Sequence, residues 1–362
     1  MRYLFLLHGI GINPPGWSAK VQKLLSEKSA LYAASAGQEP QPVQCIELRF
    51  DDVLERNMKA FLDGGGSLGK LNDWLKEGWE QRGPNAKHTL NGFIRDFALD
   101  VGCYLWNGDT MVEVLETIAA TMVEQIMPSP KKNDFFLLCH SLGTKVGFDL
   151  LNLLYEPAGS GNPAYPNINR LHPLFSLRPN GDPTRTSPDF SGLYFIANVA
   201  PLLNSFDNQS YDANSSHVRI SIPGGQGGII RNHFRIFNNH YDPVARCGGT
   251  NRINPSVYTH HTIIAQANAW LMHFYEQYLD HPLVHIPIIE DLYGLSIPEP
   301  VKQKAIADFE TGCHLPAIEA ALETALSLLP DYRQADSEKG LLSFLFETAR
   351  KLGSLTSNTP EN

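Results

Sequence analysis

The sequence predicts an α/β fold: a doubly wound, mostly parallel sheet with a helical insertion and a helical C-terminal extension. Short apolar runs of strand character alternate with longer stretches of helical periodicity, the pattern of parallel strand–helix–strand units. The chain has 362 residues, of which 43% are hydrophobic and 19% charged, enough for one large domain with insertions or for two domains. Turns with glycine or serine directly follow several apolar runs, at the sheet edge where ligands bind in such folds.

The first expected strand covers residues 3–7, and a helix is expected near residues 18–31. Between them lies the His-Gly-Ile-Gly turn of residues 8–11, whose glycines allow the backbone to come close to a bound molecule. Gly11 and Trp17, both in this connection, are therefore candidate substrate-binding residues. The apolar run is too short for a signal peptide, and no small-residue cleavage site follows it.

A second expected strand covers residues 43–50, and the strand after it begins only at residue 135, so the intervening chain exceeds a simple crossover. Residues of about 52–108 are predicted to form a helical insertion. Its apolar side chains include Leu71, Trp74, Leu75, Trp79, Phe93 and Phe97. The insertion either packs on the core, as an apolar helical stripe usually does, or covers the site as a cap, and the sequence leaves both open.

An apolar run over residues 135–139 reaches Ser141 and Gly143 and then enters an amphipathic helix that ends near residue 155. This order predicts a nucleophile elbow, in which a sharp turn between strand and helix exposes the serine hydroxyl. Cys139 stands where the G-x-S-x-G pattern has its first glycine. The helix start behind Ser141 would stabilise an oxyanion formed when the serine attacks a carbonyl. The alternative is an ordinary turn with a capping serine.

Two further strands are expected at residues 193–197 and 233–237, and a carboxylate follows each of them. Asp242, after the second strand, is the predicted acid of a Ser-His-Asp arrangement, in which it holds the histidine tautomer. Asp207, after the first strand, is the alternative acid. Leu202, in the same connection, is a third candidate substrate-binding residue.

A histidine pair, His260 and His261, follows Asp242 and is expected to open a helical stretch over residues 258–279. The base comes last in the chain order serine, acid, histidine, and either member of the pair could serve. No metal site is expected, because no third ligand lies at suitable spacing. His273 is expected to be a packed or surface residue of the same helix.

Segments around the serine and the acid resemble those of a known superfamily. Residues 139–144, Cys-His-Ser-Leu-Gly-Thr, with residues 148–151, Phe-Asp-Leu-Leu, are similar to the His-Ser-Leu-Gly elbows of intracellular lipases. Residues 241–245, Tyr-Asp-Pro-Val-Ala, resemble a segment of lipase-like and phospholipase A1-like members. Over residues of about 2–280 the chain therefore resembles serine esterases and lipases of the α/β-hydrolase superfamily, in a form that lacks the first two strands of the full sheet.

The resemblance implies a catalytic triad, with Ser141 as nucleophile, Asp242 as acid and a histidine as base. It favours His261 over His260 as that base, because a small hydroxyl residue, here Thr262, often follows the catalytic histidine in these relatives.

The resemblance also implies an oxyanion hole formed by the backbone N–H groups of Ile10 and Leu142, with Gly11 as the alternative to Ile10. The expected reaction is hydrolysis of a carboxylic ester, as a small molecule or a lipid, through an acyl-enzyme and without a cofactor or metal. The alternatives are acyl transfer by the same triad and a non-catalytic binding protein with the same fold.

Composition limits the class of partner. The formal net charge of −9 argues against a nucleic-acid partner, which would need a basic face. Five dispersed cysteines indicate reduced thiols and a cytoplasmic location. No apolar run approaches about 18 residues, so no transmembrane segment is expected, and transient contact with a membrane surface stays open. Residues 281–355 are expected to form the helical extension and residues 356–362 a disordered tail.

Overall fold

The structure is a computed structural model, and it describes the following parts of the chain: residues 1–63, 76–77, 79–80, 90–106, 108–128, 133–155, 162–175, 190–204, 230–240, 242, 245, 259–263 and 273–311. Within these residues, six strands form one parallel sheet in the order β2-β1-β3-β4-β5-β6. The strands are β1 Arg2–Leu7, β2 Val43–Leu48, β3 Asp134–His140, β4 Phe190–Ile196, β5 Ile230–Asn239 and β6 Thr259–Ile263. The class predicted from the alternation of strands and helices is thereby confirmed.

Helices of the described residues cover both faces of the sheet. They are α1 Ala19–Ala36, α2 Asp51–Asp63, α3 Leu90–Trp106, α4 Gly108–Ile126, α5 Leu142–Tyr155, α6 Pro166–Phe175, α7 Ala200–Asn204, α8 Tyr275–Asp280, α9 Pro282–Tyr293 and α10 Glu299–Thr311. Because successive strand residues point to opposite faces, Phe5 and Leu7 of β1 pack with α2 to α7, whereas Leu4 and Leu6 pack with α1, α8 and α9. Two hydrophobic cores therefore lie on either side of one sheet.

The central strands are apolar because both of their faces are covered. Every residue of β4 is buried, and in β3 only the first residue is partly exposed. Strands buried on both faces read as nearly continuous hydrophobic runs, which explains why these two were legible in the sequence. The register pairs Leu7 with Cys139 and His140 with Ile196, so the carboxyl ends of β1, β3 and β4 lie level at one edge.

The expected insertion of about residues 52–108 contributes α2 and α3 to the core. Leu54, Met58, Phe97 and Tyr104 are almost fully buried in the cluster on the first face of the sheet. Trp79 packs partly against the same cluster. The remaining side chains of the predicted apolar stripe, Leu71, Trp74, Leu75 and Phe93, lie outside the described part of the structure. Where it is described, the insertion therefore packs on the core.

The helical stretch expected over residues 258–279 is not formed at its start. Thr259–Ile263 is instead strand β6, parallel to β5, and the next described helix, α8, begins at Tyr275. The local sequence Thr-His-His-Thr-Ile contains three β-branched residues, which favour a strand.

Helix α9, which begins just beyond residue 280, where the extension was expected to start, packs against the sheet. Its side chains Val284, Ile288, Ile289 and Leu292 are fully buried in the core on the second face. Residues beyond 311, including the expected tail, lie outside the described part of the structure. Among the helices of the described residues, none combines the length and apolar character needed to cross a membrane.

Candidate functional site

Ser141 occupies a sharp turn between β3 and α5. Its φ angle is +53°, a left-handed conformation that non-glycine residues adopt rarely and at a cost in strain. The turn is held from both sides, because the Ser141 N–H donates to Ile196 O at 3.1 Å and the Thr144 N–H donates to Ser141 O at 2.8 Å. Ser141 is therefore fixed in a strained turn between the strand and the helix.

Two glycines allow this turn to pack directly against the loop after β1. A Cβ atom on Gly143 would lie 2.8 Å from Leu7 O, and one on Gly9 would lie 2.7 Å from Ser141 Cβ. Neither distance is sterically tolerable, so both positions require glycine if the backbones are to keep this separation. The loop of residues 8–13 therefore lies immediately beside the serine.

Cys139, which replaces the usual first glycine, fits because a glycine faces it. A Cβ atom on Gly147 of α5 would lie 2.6 Å from Cys139 Sγ. The sulfur thus occupies the space that the helix leaves open. Burial raises the pKa of the Cys139 thiol well above its ordinary value, so this group stays protonated at neutral pH.

His273 joins Ser141 to Asp242 in a buried chain of hydrogen bonds. Its Nε2 atom lies 2.6 Å from Ser141 Oγ, and its Nδ1 atom lies 2.8 Å from Asp242 Oδ2. The three side chains are 0%, 3% and 0% exposed for Ser141, His273 and Asp242. A carboxylate only accepts, so for a neutral ring the Nδ1–H donates to Asp242, and Nε2 is left to accept the serine hydroxyl proton.

The expectation that His261, or alternatively His260, would meet Ser141 is corrected by this geometry. Both histidines lie on β6, where the His261 ring stacks on Phe237 at 5.0 Å and His260 Nε2 lies 3.4 Å from Asn238 Nδ2. Burial lowers the pKa of both rings. Because the pair was assigned to the start of a helix rather than to a strand, the position that reaches the serine was overlooked.

His273 was missed because it carries no local signature. It lies just before the short helix α8, among aromatic residues that resemble ordinary core. The chain order serine, acid, histidine could have suggested His273, because any histidine after Asp242 satisfies it.

Among the described residues, three donors bind the Asp242 carboxylate. Oδ1 accepts the Ala245 N–H at 3.0 Å, while Oδ2 accepts both the His273 ring and the Tyr278 hydroxyl, the latter at 2.7 Å. Burial alone would raise the pKa of the Asp242 carboxyl, but His273 and the other donors together hold it below its usual range. Asp242 is therefore ionised at neutral pH. Asp207, the alternative acid, lies outside the described residues.

Of the two N–H groups in the loop after β1 that were candidate oxyanion donors, that of Gly11 is already bound to another group. The Gly11 N–H donates to the buried Asp100 carboxylate of α3 at 2.6 Å, so this group is already engaged. Ile10 is 7% exposed, and Leu142 is fully buried at the start of α5; the oxyanion role of their N–H groups stays a prediction.

A second imidazole–carboxylate pair braces the same loop. His8 Nε2 lies 3.1 Å from Asp51 Oδ2 and accepts the Phe50 N–H at 3.3 Å. The Asn13 side chain donates to Gly11 O at 2.7 Å and to Asp51 Oδ1 at 3.2 Å. Burial opposes ionisation of Asp51, yet His8 and Asn13 contribute to an overall lowering of the pKa of its carboxyl. The loop is thus tied to the start of α2.

A group of aromatic side chains packs next to the His273 ring. His140 Nε2 lies 2.6 Å from His273 O, and the His140 ring packs edge-on against Tyr275 at 5.5 Å. Trp17 packs edge-on against Tyr275, with 5.8 Å between the ring centroids. This predicted substrate-binding residue therefore belongs to the same aromatic group. Leu202 lies in α7, but its side chain is outside the described part of the structure.

Within the described residues, no group of three or more His, Cys, Asp or Glu side chains is arranged to hold a metal ion. A comparison with models of known protein families found no match for this chain, and a comparison with curated proteins found none either.

Proposed function

We propose that this protein is a serine hydrolase of the α/β-hydrolase type that cleaves carboxylic esters through an acyl-enzyme. The observation that carries the proposal is the buried chain Ser141–His273–Asp242, with hydrogen-bond distances of 2.6 and 2.8 Å. A serine in a strained turn, a histidine within reach of its hydroxyl and a carboxylate orienting that histidine are the parts such chemistry requires.

In the first half of the reaction, Ser141 Oγ bonds to the ester carbonyl carbon while His273 Nε2 takes the hydroxyl proton. The carbonyl electron pair moves to oxygen, and Asp242 stabilises the imidazolium that forms. Collapse of the intermediate re-forms the carbonyl and breaks the bond to the alcohol oxygen. That oxygen takes the proton from His273 and leaves as an alcohol.

The second half uses water in the place of the serine. His273 Nε2 takes a proton from water as its oxygen attacks the acyl carbon. The ester bond to Ser141 Oγ then breaks, the proton returns to this oxygen, and a carboxylic acid is released.

The developing negative charge is assigned to the backbone N–H groups of Leu142 and Ile10. Leu142 begins helix α5, where the free N–H groups and the helix dipole favour an anion. Gly9 supports this assignment, because its missing Cβ lets the Ile10 backbone approach the serine. Preorganised donors of this kind contribute about 3–4 kcal/mol each to stabilisation of the transition state.

Lipid-like esters are the proposed substrate class, although the described part of the insertion packs on the core and does not itself supply an acyl-binding surface. Phe97 is only 1% exposed and belongs to the core, so it does not offer an acyl site. We propose that an acyl chain bound next to the serine contacts Ile10, in the loop that follows β1, and Trp17, whose ring packs against Tyr275.

The test is covalent labelling with a fluorophosphonate, which reacts with activated serines. We expect the wild type to be labelled and the Ser141→Ala variant to be unlabelled, with ester turnover reduced by about four to six orders of magnitude. Ser191→Ala removes another buried hydroxyl, which donates to Asp134 at 3.2 Å, and is the matched control that should label normally.

Labelling that persists in Ser141→Ala would overturn the proposal. A folded wild type that is neither labelled nor active would favour the non-catalytic binding protein. Transfer of the acyl group to an alcohol, seen by product analysis, would identify an acyltransferase instead.

A further inference from the structure

We infer that Tyr278 is a positioning residue for this reaction: its hydroxyl fixes the Asp242 carboxylate and limits how strongly that carboxylate attracts the proton carried by His273. The inference rests on the proposed function, since it assigns a role within the same site. Tyr278 itself does not touch the serine and acts through Asp242.

The phenol is held between two partners in a fully buried position. Its hydroxyl oxygen lies 2.7 Å from Asp242 Oδ2 and accepts the backbone N–H of Asn239 at 2.9 Å. Tyr278 is 0% exposed. Because Asn239 N–H can only donate and ionised Asp242 can only accept, the phenol proton must point toward the carboxylate.

The phenol remains a proton donor at every relevant pH. Burial, and after it the negative charge of Asp242, raise the pKa of Tyr278 well above its ordinary value. The donor role is therefore permanent, and the Asn239 N–H strengthens it by polarising the phenol oxygen.

The same carboxylate oxygen, Oδ2, serves both Tyr278 and His273. A donor that shares this oxygen withdraws electron density from it and weakens its hold on the imidazolium. If the phenol donor is lost, the carboxylate becomes more basic and favours the protonated ring. The active, neutral ring then requires a higher pH.

Two further titratable side chains lie nearby: His140, from the end of β3, packs against the His273 ring, and Tyr275, from α8, packs against His140. Both are retained in every variant below, so the comparison isolates the phenol donor.

The experiment compares Tyr278→Phe with wild type in the pH dependence of kcat/KM for a nitrophenyl ester. We expect the midpoint of the acid limb to move upward by roughly half a pH unit to one unit. On the plateau, kcat should fall by about three- to tenfold with KM nearly constant, because the carboxylate is less well placed.

Tyr194→Phe is the matched control. This tyrosine is also 0% exposed, and its hydroxyl donates to Asp291 at 3.1 Å, away from the triad. It should lower stability as Tyr278→Phe does, while leaving the midpoint of the profile in place.

Replacement of Tyr278 by 3,5-difluorotyrosine preserves the shape of the side chain and strengthens its donation. It should move the midpoint downward, and it remains informative even if Tyr278→Phe fails to fold.

The inference is overturned if neither replacement at 278 moves the midpoint, or if Tyr194→Phe moves it equally. Titration of the histidine ring protons by NMR reads the same shift without a substrate. A shift at 278 in a protein without esterase activity would therefore refute the proposed function alone, and activity without a shift would refute this inference alone.

Discussion

At the scale of single residues, the proposed reaction depends most on His273, because both of its ring nitrogens are engaged by the two groups it must serve. We expect His273→Ala to lower kcat by about four to six orders of magnitude, as loss of a triad base does. His261→Ala, on β6, should change kcat by less than about tenfold, because its ring stacks on Phe237 in the sheet, whereas the His273 ring contacts the serine. Steady-state kinetics of the two variants, with folding checked by circular dichroism, decide between the histidines; the reverse order of effects would return the base to His261.

The residues of the candidate site differ in how well they could be predicted from the sequence. Ser141 was predicted from the local order strand, serine, glycine, helix, and Asp242 from its place after a strand, because both depend on neighbours in sequence. His273 depends on the fold of its whole segment, since only the path from β6 to α8 carries its ring to the serine. Tyr278 was equally unpredictable, because a buried tyrosine in a short helix is usually core.

At the scale of elements, the junction of β3 and α5 has one contact that can be tested by a double-mutant cycle. Gly147→Ala should destabilise the protein by about 1–3 kcal/mol, because the new Cβ would lie 2.6 Å from Cys139 Sγ. Adding Cys139→Ala removes the sulfur and leaves its Cβ 3.7 Å away, an ordinary contact.

Urea unfolding of the four proteins should therefore give a favourable coupling energy of about 1–2 kcal/mol. Cys45→Ala, on the edge strand β2, is the control that should add to Gly147→Ala without coupling. Additive effects of Gly147→Ala and Cys139→Ala would show that the helix shifts to accommodate the methyl group.

The contact between α1 and α9 predicts a pH-dependent stability. His285 is fully buried, with Nε2 2.8 Å from Tyr32 Oη and Nδ1 2.8 Å from Leu279 O. Burial, followed by the charge of Lys28, lowers the pKa of His285 to about 3. The unfolded chain takes up this proton below about pH 6.5, whereas the folded protein does not until about pH 3, so stability falls as the pH drops through this window.

Between about pH 7.5 and pH 5, the contribution lost is about 2 kcal/mol of unfolding free energy. The non-titrating variant His285→Gln should lose correspondingly less over the same interval, as measured by urea unfolding at both pH values. An unchanged difference between the two pH values would show that His285 takes up its proton without unfolding.

The predictability of the elements follows their burial. The strands β1, β3 and β4 are largely apolar runs covered by helices, and their positions along the chain could therefore be predicted from the sequence. β6 lies at the sheet edge; its first four residues are exposed or partly exposed, and its last, Ile263, is buried. A short, polar edge strand is specified by pairing with β5 rather than by its own pattern, so local periodicity was a poor guide.

At the scale of the whole molecule, one sheet separates two cores, and the site lies where the carboxyl ends of its central strands meet. This arrangement was predictable, because parallel strands followed by polar turns place those turns at one edge. The packing of α2 and α3 could not be predicted, because an apolar stripe on a helix looks the same in sequence whether it faces the core or a substrate. Their burial against β1 and α4 depends on contacts between residues distant in sequence.

For the proposed reaction, the complete burial of Ser141 has a kinetic consequence. An ester, or a covalent probe, can contact the hydroxyl only in a conformation in which the surrounding groups have moved apart. If closing is faster than bond formation, the chemical step still governs the rate. If bond formation is faster, turnover has an upper limit equal to the opening frequency, and an ester with a better leaving group would then react no faster.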